Sequence, residues 1–211
     1  MMCPNTMKLR NPSSSNDTTN VMVGVARTVQ LNKPNDFLGV LDALTKLRSN
    51  DVLLINSGGS TRAVAGGLFS AEASRRGVSG IIVDGPIRDV DDLDHGTKVF
   101  STAVSPYAGT IQHPGDGIDS HSVICGGVTV NPGDIVFGDR DGVLVGSADT
   151  FFACLHDAEN IVAVEQHLME GMKLGVSLHS MTNFDDHMQK RKAGKESSLD
   201  FKVRNTIKFE G

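Results

Sequence analysis

The chain has 211 residues and a formal net charge of −5, with 39% hydrophobic and 21% charged residues. That size supports one full hydrophobic core and leaves little room for a second. The acidic balance supplies no basic face for nucleic acid or an anionic membrane surface, and no apolar run approaches the roughly 20 residues that span a bilayer.

Residues 1–20 are rich in Ser, Asn and Thr, lack the apolar stretch of a secretory signal, and read as a loose polar arm. "VMVGVARTVQL" (21–31) alternates β-branched residues and predicts a strand. After Pro34 and Asn35, "DFLGVLDALTKL" (36–47) sets Phe37, Leu38, Leu41, Leu44 and Leu47 on one helical face, with Asp36 as its cap. "DVLLIN" (51–56) has the continuous apolar texture of a strand buried on both faces. "SGGSTRAVAGGLFSAEASRRG" (57–77) opens on a Gly-Gly turn and continues as a small-residue helix that Gly77 stops.

"VSGIIVDG" (78–85) predicts another buried strand, leading through a Gly85-Pro86 turn to Arg88 and Asp89. A polar helical turn over 89–95 precedes a short strand, "TKVFSTA" (97–103). From residue 123 the pattern becomes strand, turn, strand, turn, strand, with Asn131–Asp134 and Asp139–Gly142 as the turns. Residues 148–172 carry a helical apolar spacing (Phe152, Leu155, Ala158, Ile161, Val162, Leu168), and beyond about 175 the periodicity fades into a polar tail. Strand–helix–strand units followed by hairpins predict a mixed α/β core with helices covering a sheet. The three cysteines, Cys3, Cys125 and Cys154, are odd in number and widely spaced, which fits a reduced, cytoplasmic setting better than a disulfide framework.

Three stretches carry polar groups suited to chemistry. Gly66-Gly67 is costly inside a helix, about 1 kcal/mol per glycine, so either the helix starts there and aims free amides at an anion, or the pair packs against something close. Arg88 and Asp89 follow a strand: Asp is a hard-oxygen ligand for Mg²⁺ or Mn²⁺, and Arg offers a planar fork to a carboxylate or enolate. An adjacent Arg-Asp pair is more often simple surface charge. "QHPGDGIDSH" (112–121) imitates a metal site but has no recognised ligand spacing, and reads as a surface loop near the chemistry rather than in it. Cys125, in an apolar run, reads as a small buried hydrophobe.

In order along the chain, "GVARTV" (24–29), "GGSTRAVAGG" (58–67), "GVSGIIVDGPIRDVDDL" (77–93) and "CGGVTVNPGDIVFGDRDGVLV" (125–145) resemble the RraA-like family, which includes class II 4-hydroxy-4-methyl-2-oxoglutarate aldolases and the regulator of ribonuclease activity A. The resemblance implies a single compact α/β/β domain akin to the swivelling phosphohistidine-domain fold, here over 21–174 between the arm (1–20) and the tail (175–211). It implies a homotrimer or homohexamer with sites between subunits. Arg88 is then the catalytic arginine that contacts a small 2-oxo acid, and Asp89 the metal ligand. The amides of Gly66, Gly67, Leu68 and Phe69 hold the substrate carboxylate, and Glu165 of a neighbouring subunit completes the metal-water network.

On that resemblance the reaction is aldol cleavage, or oxaloacetate decarboxylation, through a pyruvate enolate. Three departures stand against it: Gly67 replaces an acid common in the aldolases, Asn56-Ser57-Gly58-Gly59 stands where the family has a D-x-G-G turn, and the polar arm replaces an N-terminal helical segment. The alternative is a non-enzymatic protein that binds and regulates a ribonuclease or another protein.

Overall fold

The computed structural model describes residues 4–7, 21–93 and 96–201. Its centre is a seven-stranded sheet in the order β1-β9-β8-β2-β3-β4-β5. Four of these strands run parallel: β2 (Met22–Gln30), β3 (Asp51–Asn56), β4 (Gly80–Ile87) and β5 (Lys98–Val104). The others, β1 (Asn5–Met7), β8 (Ile135–Gly138) and β9 (Val143–Gly146), extend the sheet antiparallel on the far side of β2. The connections β2-α1-β3 and β3-α2-β4 pass through α1 (Leu38–Lys46) and α2 (Gly67–Arg75). A separate hairpin, β6 (Val123–Cys125) and β7 (Val128–Val130), makes a third layer.

Strand alternation explains why the sheet needs covering on both sides. In β3 and β4, Leu53, Ile55, Ile81 and Val83 join the core with Val40, Ala43, Leu44 and Ala73 of the helices. Their neighbours Val52, Leu54 and Ile82 join Val123, Cys125 and Val130 of the hairpin. The layers are therefore helices, sheet and hairpin: the α/β/β arrangement that the resemblance implied.

Several local expectations are corrected. The arm was expected to be loose, yet Asn5–Met7 pairs with β9 and Met7 is buried; a three-residue edge strand is too short to show in a polar composition. The rest of residues 1–20, apart from Pro4, lies outside the described residues. Leu41 is exposed although placed on the buried face of α1, because that face turns on Val40, Ala43, Leu44 and Leu47. Gly85-Pro86 is no turn. It is a register shift inside β4, after which Pro86 and Ile87 pair with Ala103 and Val104. A side chain at Gly85 would overlap Ser57 Oγ, which donates to the Asp84 carbonyl at 2.6 Å. The glycines Gly126 and Gly127, both at positive φ, make the hairpin turn that the three-strand expectation lacked. Gly77 does stop α2: at φ +73° its N–H donates to Ser74, and that of Val78 to Ala73.

The chain divides into two compact units, Met1–Phe151 and Phe152–Gly211, so α3 (Ala148–Lys173) begins in the first and continues in the second. Within the second unit Val164, Leu168 and Met181 pack together with Phe201, and α4 (Phe184–Lys192) follows. The polar tail thus contains a helix. Apolar periodicity missed it because α4 buries no residue; Asp185 and Asp186 in its first turn and Lys190, Arg191 and Lys192 in its last complement the helix dipole instead. Among the described residues no helix is long and apolar enough to cross a membrane.

Candidate active site

The parallel strands end together, and their carboxyl ends carry the polar loops, as in other open α/β sheets. β4 leads directly to Arg88 and Asp89, and a 3-10 turn (Val90–Asp92) follows. Asp89 sits in the left-handed region at φ +56°, one of the few non-glycine positions there. Asp tolerates that conformation better than most side chains, and the turn is closed by the Asp92 amide donating to the Asp89 carbonyl at 3.0 Å.

The segment before α2 is laced against this exit. The Val64 amide donates to Pro86, and that of Arg88 to Ala65, at 3.1 and 3.2 Å. On its other side the Ala63 amide donates to Tyr107 and that of Gly109 to Ala63. The helix then starts at Gly67, with Gly66 extended ahead of it. A Cβ on Gly66 would stand 2.9 Å from Asp89 Oδ2 and 3.0 Å from Arg88 Cγ, and one on Gly67 would stand 3.0 Å from Asp92 Cβ. Both readings of the glycine pair therefore hold at once: the helix begins there, and it begins pressed against Arg88–Asp92.

Between these segments lies a cavity of about 200 Å³, formed within the first unit. Arg88, Asp89 and Gly66 make its polar end. Its walls are Phe37, Phe69, Leu68, Val64 and the alanines 63, 65 and 108. Phe37 and Phe69 meet edge to face with centroids 5.6 Å apart. Phe69 differs from its expected role: its amide donates to Gly66 O at 3.0 Å within the helix, so its ring, not its N–H, is what it presents. Gly67 and Leu68 open the helix, where backbone N–H groups have no intrahelical acceptor. Glu165 is exposed on α3 in the second unit.

Two residues that hold the walls carried no chemical signal in the sequence. Asp36, 3% exposed, accepts hydrogen bonds from Thr110 Oγ1 and the Gln112 amide, each at 2.8 Å, and from the Leu38 and His113 amides. Expected as the cap of α1, it lies one residue ahead of the observed N-cap, Phe37, and ties the 110–113 loop to the start of the helix. Burial pushes its carboxyl up, but the hydrogen bonds from Gln112, Thr110, Leu38 and His113 outweigh it and hold the group well below the usual carboxylate range. Asn35, at φ +64°, accepts at Oδ1 from Ser60 Oγ and from the amides of Thr61 and Arg62, fixing the loop that enters the Ala63–Gly66 segment.

The 112–121 loop contributes no residue to the cavity; its Asp119 pairs with Arg27 and its Asp116 with His121. A second cleft, lined by Ser57, Asp84, Thr102, Ser105 and Tyr107 among others, is larger at about 560 Å³. It has no basic side chain in its lining to receive a carboxylate, so size does not make it the candidate site. Burial pushes the Asp84 carboxyl up, against a hydrogen bond from the Gly126 backbone. Cys125 is fully buried and its thiol is pushed up by burial and by the charge of Asp84, which suits a packing role.

Among the described residues no three His, Cys, Asp or Glu side chains group closely enough to cage a metal ion. Asp89 alone offers one half-exposed carboxylate at the cavity. That donor fits a hard cation such as Mg²⁺ or Mn²⁺, which keeps several waters and takes one or two carboxylates plus ligand oxygens.

The chain is similar to several known proteins. It is 37% identical over 138 residues to a Halalkalibacterium halodurans protein provisionally named 4-hydroxy-4-methyl-2-oxoglutarate aldolase, covering 64% of this chain and 62% of that one. It is 30% identical over 168 residues to an uncharacterized protein of Methanocaldococcus jannaschii, covering 78% and 79%. The RNA-processing inhibitor RraA from Thermus thermophilis superposes with a TM-score of 0.59 at 25% identity, covering 67% and 83%. Residues 5–145 match the family described as RraA-like (Aldolase/RraA), and the chain belongs to that family.

Proposed function

We propose that the protein is a divalent-metal-dependent lyase acting on small 2-oxo acids through an enolate, by retro-aldol cleavage or decarboxylation. One observation carries this reading: Arg88, Asp89 and the start of α2 converge on one cavity. A guanidinium, a hard-oxygen carboxylate and paired amides are what a 2-oxo acid and its cation require.

The amides of Gly67 and Leu68, with the partial positive charge of the helix start, receive the substrate carboxylate. Asp89 holds the cation, which when bound withdraws charge from the keto acid as a Lewis acid. Arg88 turns its guanidinium to the oxygen where the enolate charge develops. Arg88 and Asp89 are the titratable side chains of the cavity lining, and neither is free to act as base, so water takes the hydroxyl proton in the retro-aldol direction. The enolate carbon then takes a proton from water to give the product 2-oxo acid, the step that solvent exchange reads. On the same reading the protein assembles as a trimer or hexamer, and a neighbouring Glu165 joins the metal's water network.

The test is exchange of the pyruvate methyl protons in D₂O, which reports the enolate without needing the true substrate. Mg²⁺-dependent exchange is expected, abolished by EDTA and by Asp89→Ala. Exchange at the buffer rate in all three conditions would withdraw the reading. A second reading, a partner-binding regulator, is favoured by the glycine at 67, where an acid would have to displace Asp92; it predicts that buffer-rate outcome.

A further inference from the structure

The segment that enters α2 is fastened on both sides just before it reaches the cavity. Asn35 Oδ1 accepts from the Arg62 amide at 3.0 Å, and Ala63 pairs with the Ala108 segment through the Tyr107 carbonyl and the Gly109 amide. Ala63 and Ala108 both line the cavity. Arg62 stands at its edge, exposed, and donates Nη1 to the Ala108 carbonyl at 3.2 Å. A guanidinium carries five N–H donors, so this bond leaves most of the fork open. Among the described residues Arg62 makes no ion pair, whereas Arg27, Arg75, Arg76 and Arg88 each hold a carboxylate.

We propose that Arg62 is a specificity-determining residue of this site: its guanidinium receives a second carboxylate, carried on the far end of a 2-oxo acid whose reacting end lies at Arg88, Asp89 and the start of α2. The proposal rests on the lyase reading of those residues. Placement supports it. Arg62 lies three residues before Ala65, whose carbonyl accepts from the Arg88 amide, so the Cα atoms of Arg62 and Ala65 are at most about 11 Å apart. The arginine side chain and a short diacid together span that gap. Chemistry supports it as well, because the guanidinium stays charged and its planar fork matches a carboxylate with two parallel hydrogen bonds. The bond to Ala108 and the fixed Arg62 amide hold the group near the rim before a ligand arrives, which lowers the ordering cost of binding. Groups that a neighbouring subunit brings to the site act in addition to this cation.

The experiment is calorimetric titration of the full chain at saturating Mg²⁺ with pyruvate, 2-oxoglutarate and 2-oxoadipate, the two diacids differing by one methylene in their reach. At least one diacid is expected to bind about five-fold tighter than pyruvate, the upper range for an exposed ion pair, and to lose most of that margin in about 0.5 M KCl. Arg62→Gln should remove the margin, and Arg62→Lys, which keeps the charge but not the fork, should retain part of it. Diacids that bind no tighter than pyruvate overturn this inference alone, as does a diacid-to-pyruvate ratio unchanged in Arg62→Gln. A ratio that falls together with the oligomeric size, read by light scattering, also overturns it, since Arg62 then serves a subunit contact. If none of the three acids binds in a Mg²⁺-dependent way, the lyase reading falls and this inference with it.

Discussion

Arg88 donates its Nε–H to Asp89 Oδ2 at 2.9 Å, so the groups proposed to hold the keto acid and the cation first hold each other. Both are partly exposed, at 43% and 33%, and a pair of that kind contributes about 0–1 kcal/mol, which a cation can displace. Arg88→Gln should therefore tighten Mg²⁺ binding measured without keto acid, by up to about five-fold. The same variant should weaken pyruvate binding at saturating Mg²⁺. Calorimetry reads both; an unchanged or weaker Mg²⁺ affinity would mean that the two groups do not compete.

Gly66 stands where any side chain would meet this pair. Its φ of −176° is open to every residue, so the cost of Gly66→Ala comes from contact alone: Asp89 Oδ2 at 2.9 Å and Arg88 Cγ at 3.0 Å. The variant should fold with a loss of about 1–3 kcal/mol in urea denaturation, the usual cost of overpacking. Its Mg²⁺-dependent pyruvate exchange should fall by an order of magnitude or more, since displacement of about 1 Å at a reacting site costs about that much or more. Full exchange activity in a stable Gly66→Ala protein would show that the close approach has no catalytic role.

Asp36 should give the protein an acid-sensitive component. Its folded pKa lies below the ordinary value of 3.8, so its stabilising contribution is complete above that value and is lost as pH falls below it toward the folded value. Asp36→Asn keeps the shape but loses charge-assisted hydrogen bonds, at about 1.5–3 kcal/mol. Urea denaturation at a series of pH values between roughly 3 and 7 should show a gap between the two proteins at neutral pH that narrows below about pH 4. A gap that stays constant with pH would assign the loss to packing rather than to charge.

Asp84 should behave oppositely. Its carboxyl is pushed up by burial, so its favourable contribution is present below the ordinary carboxylate pKa and lost as pH rises through the folded value. Asp84→Asn is then expected to hold or raise the thermal midpoint at neutral pH and to flatten its dependence on pH in the weakly acidic range. A clear fall in the midpoint at neutral pH would reveal a compensating partner for the charge.

Much of the frame was legible because its signals are local. Continuous apolar runs marked β3 and the start of β4, alternation marked β2, and Gly77 marked the end of α2. Arg88 and Asp89 could be singled out because a buried strand ended just before them, and the glycine pair because it was costly in a helix. The elements that escaped have no local signature. β1 is held by pairing with a strand more than a hundred residues away, α4 by charges at its ends rather than by an apolar stripe, and the Val83/Pro86 shift by the approach of Ser57.

Residue order alone was enough to set the α/β class and the family, since periodicity, turn residues and spaced motifs are properties of neighbours along the chain. Folding in three dimensions decided what surrounds the polar pair. Phe37, Ala108 and the Ala63–Ala65 segment come from separate loops, and a buried carboxylate at Asp36 holds part of that wall in place. Such an enclosure depends on which distant segments are packed together, and packing has no period to read.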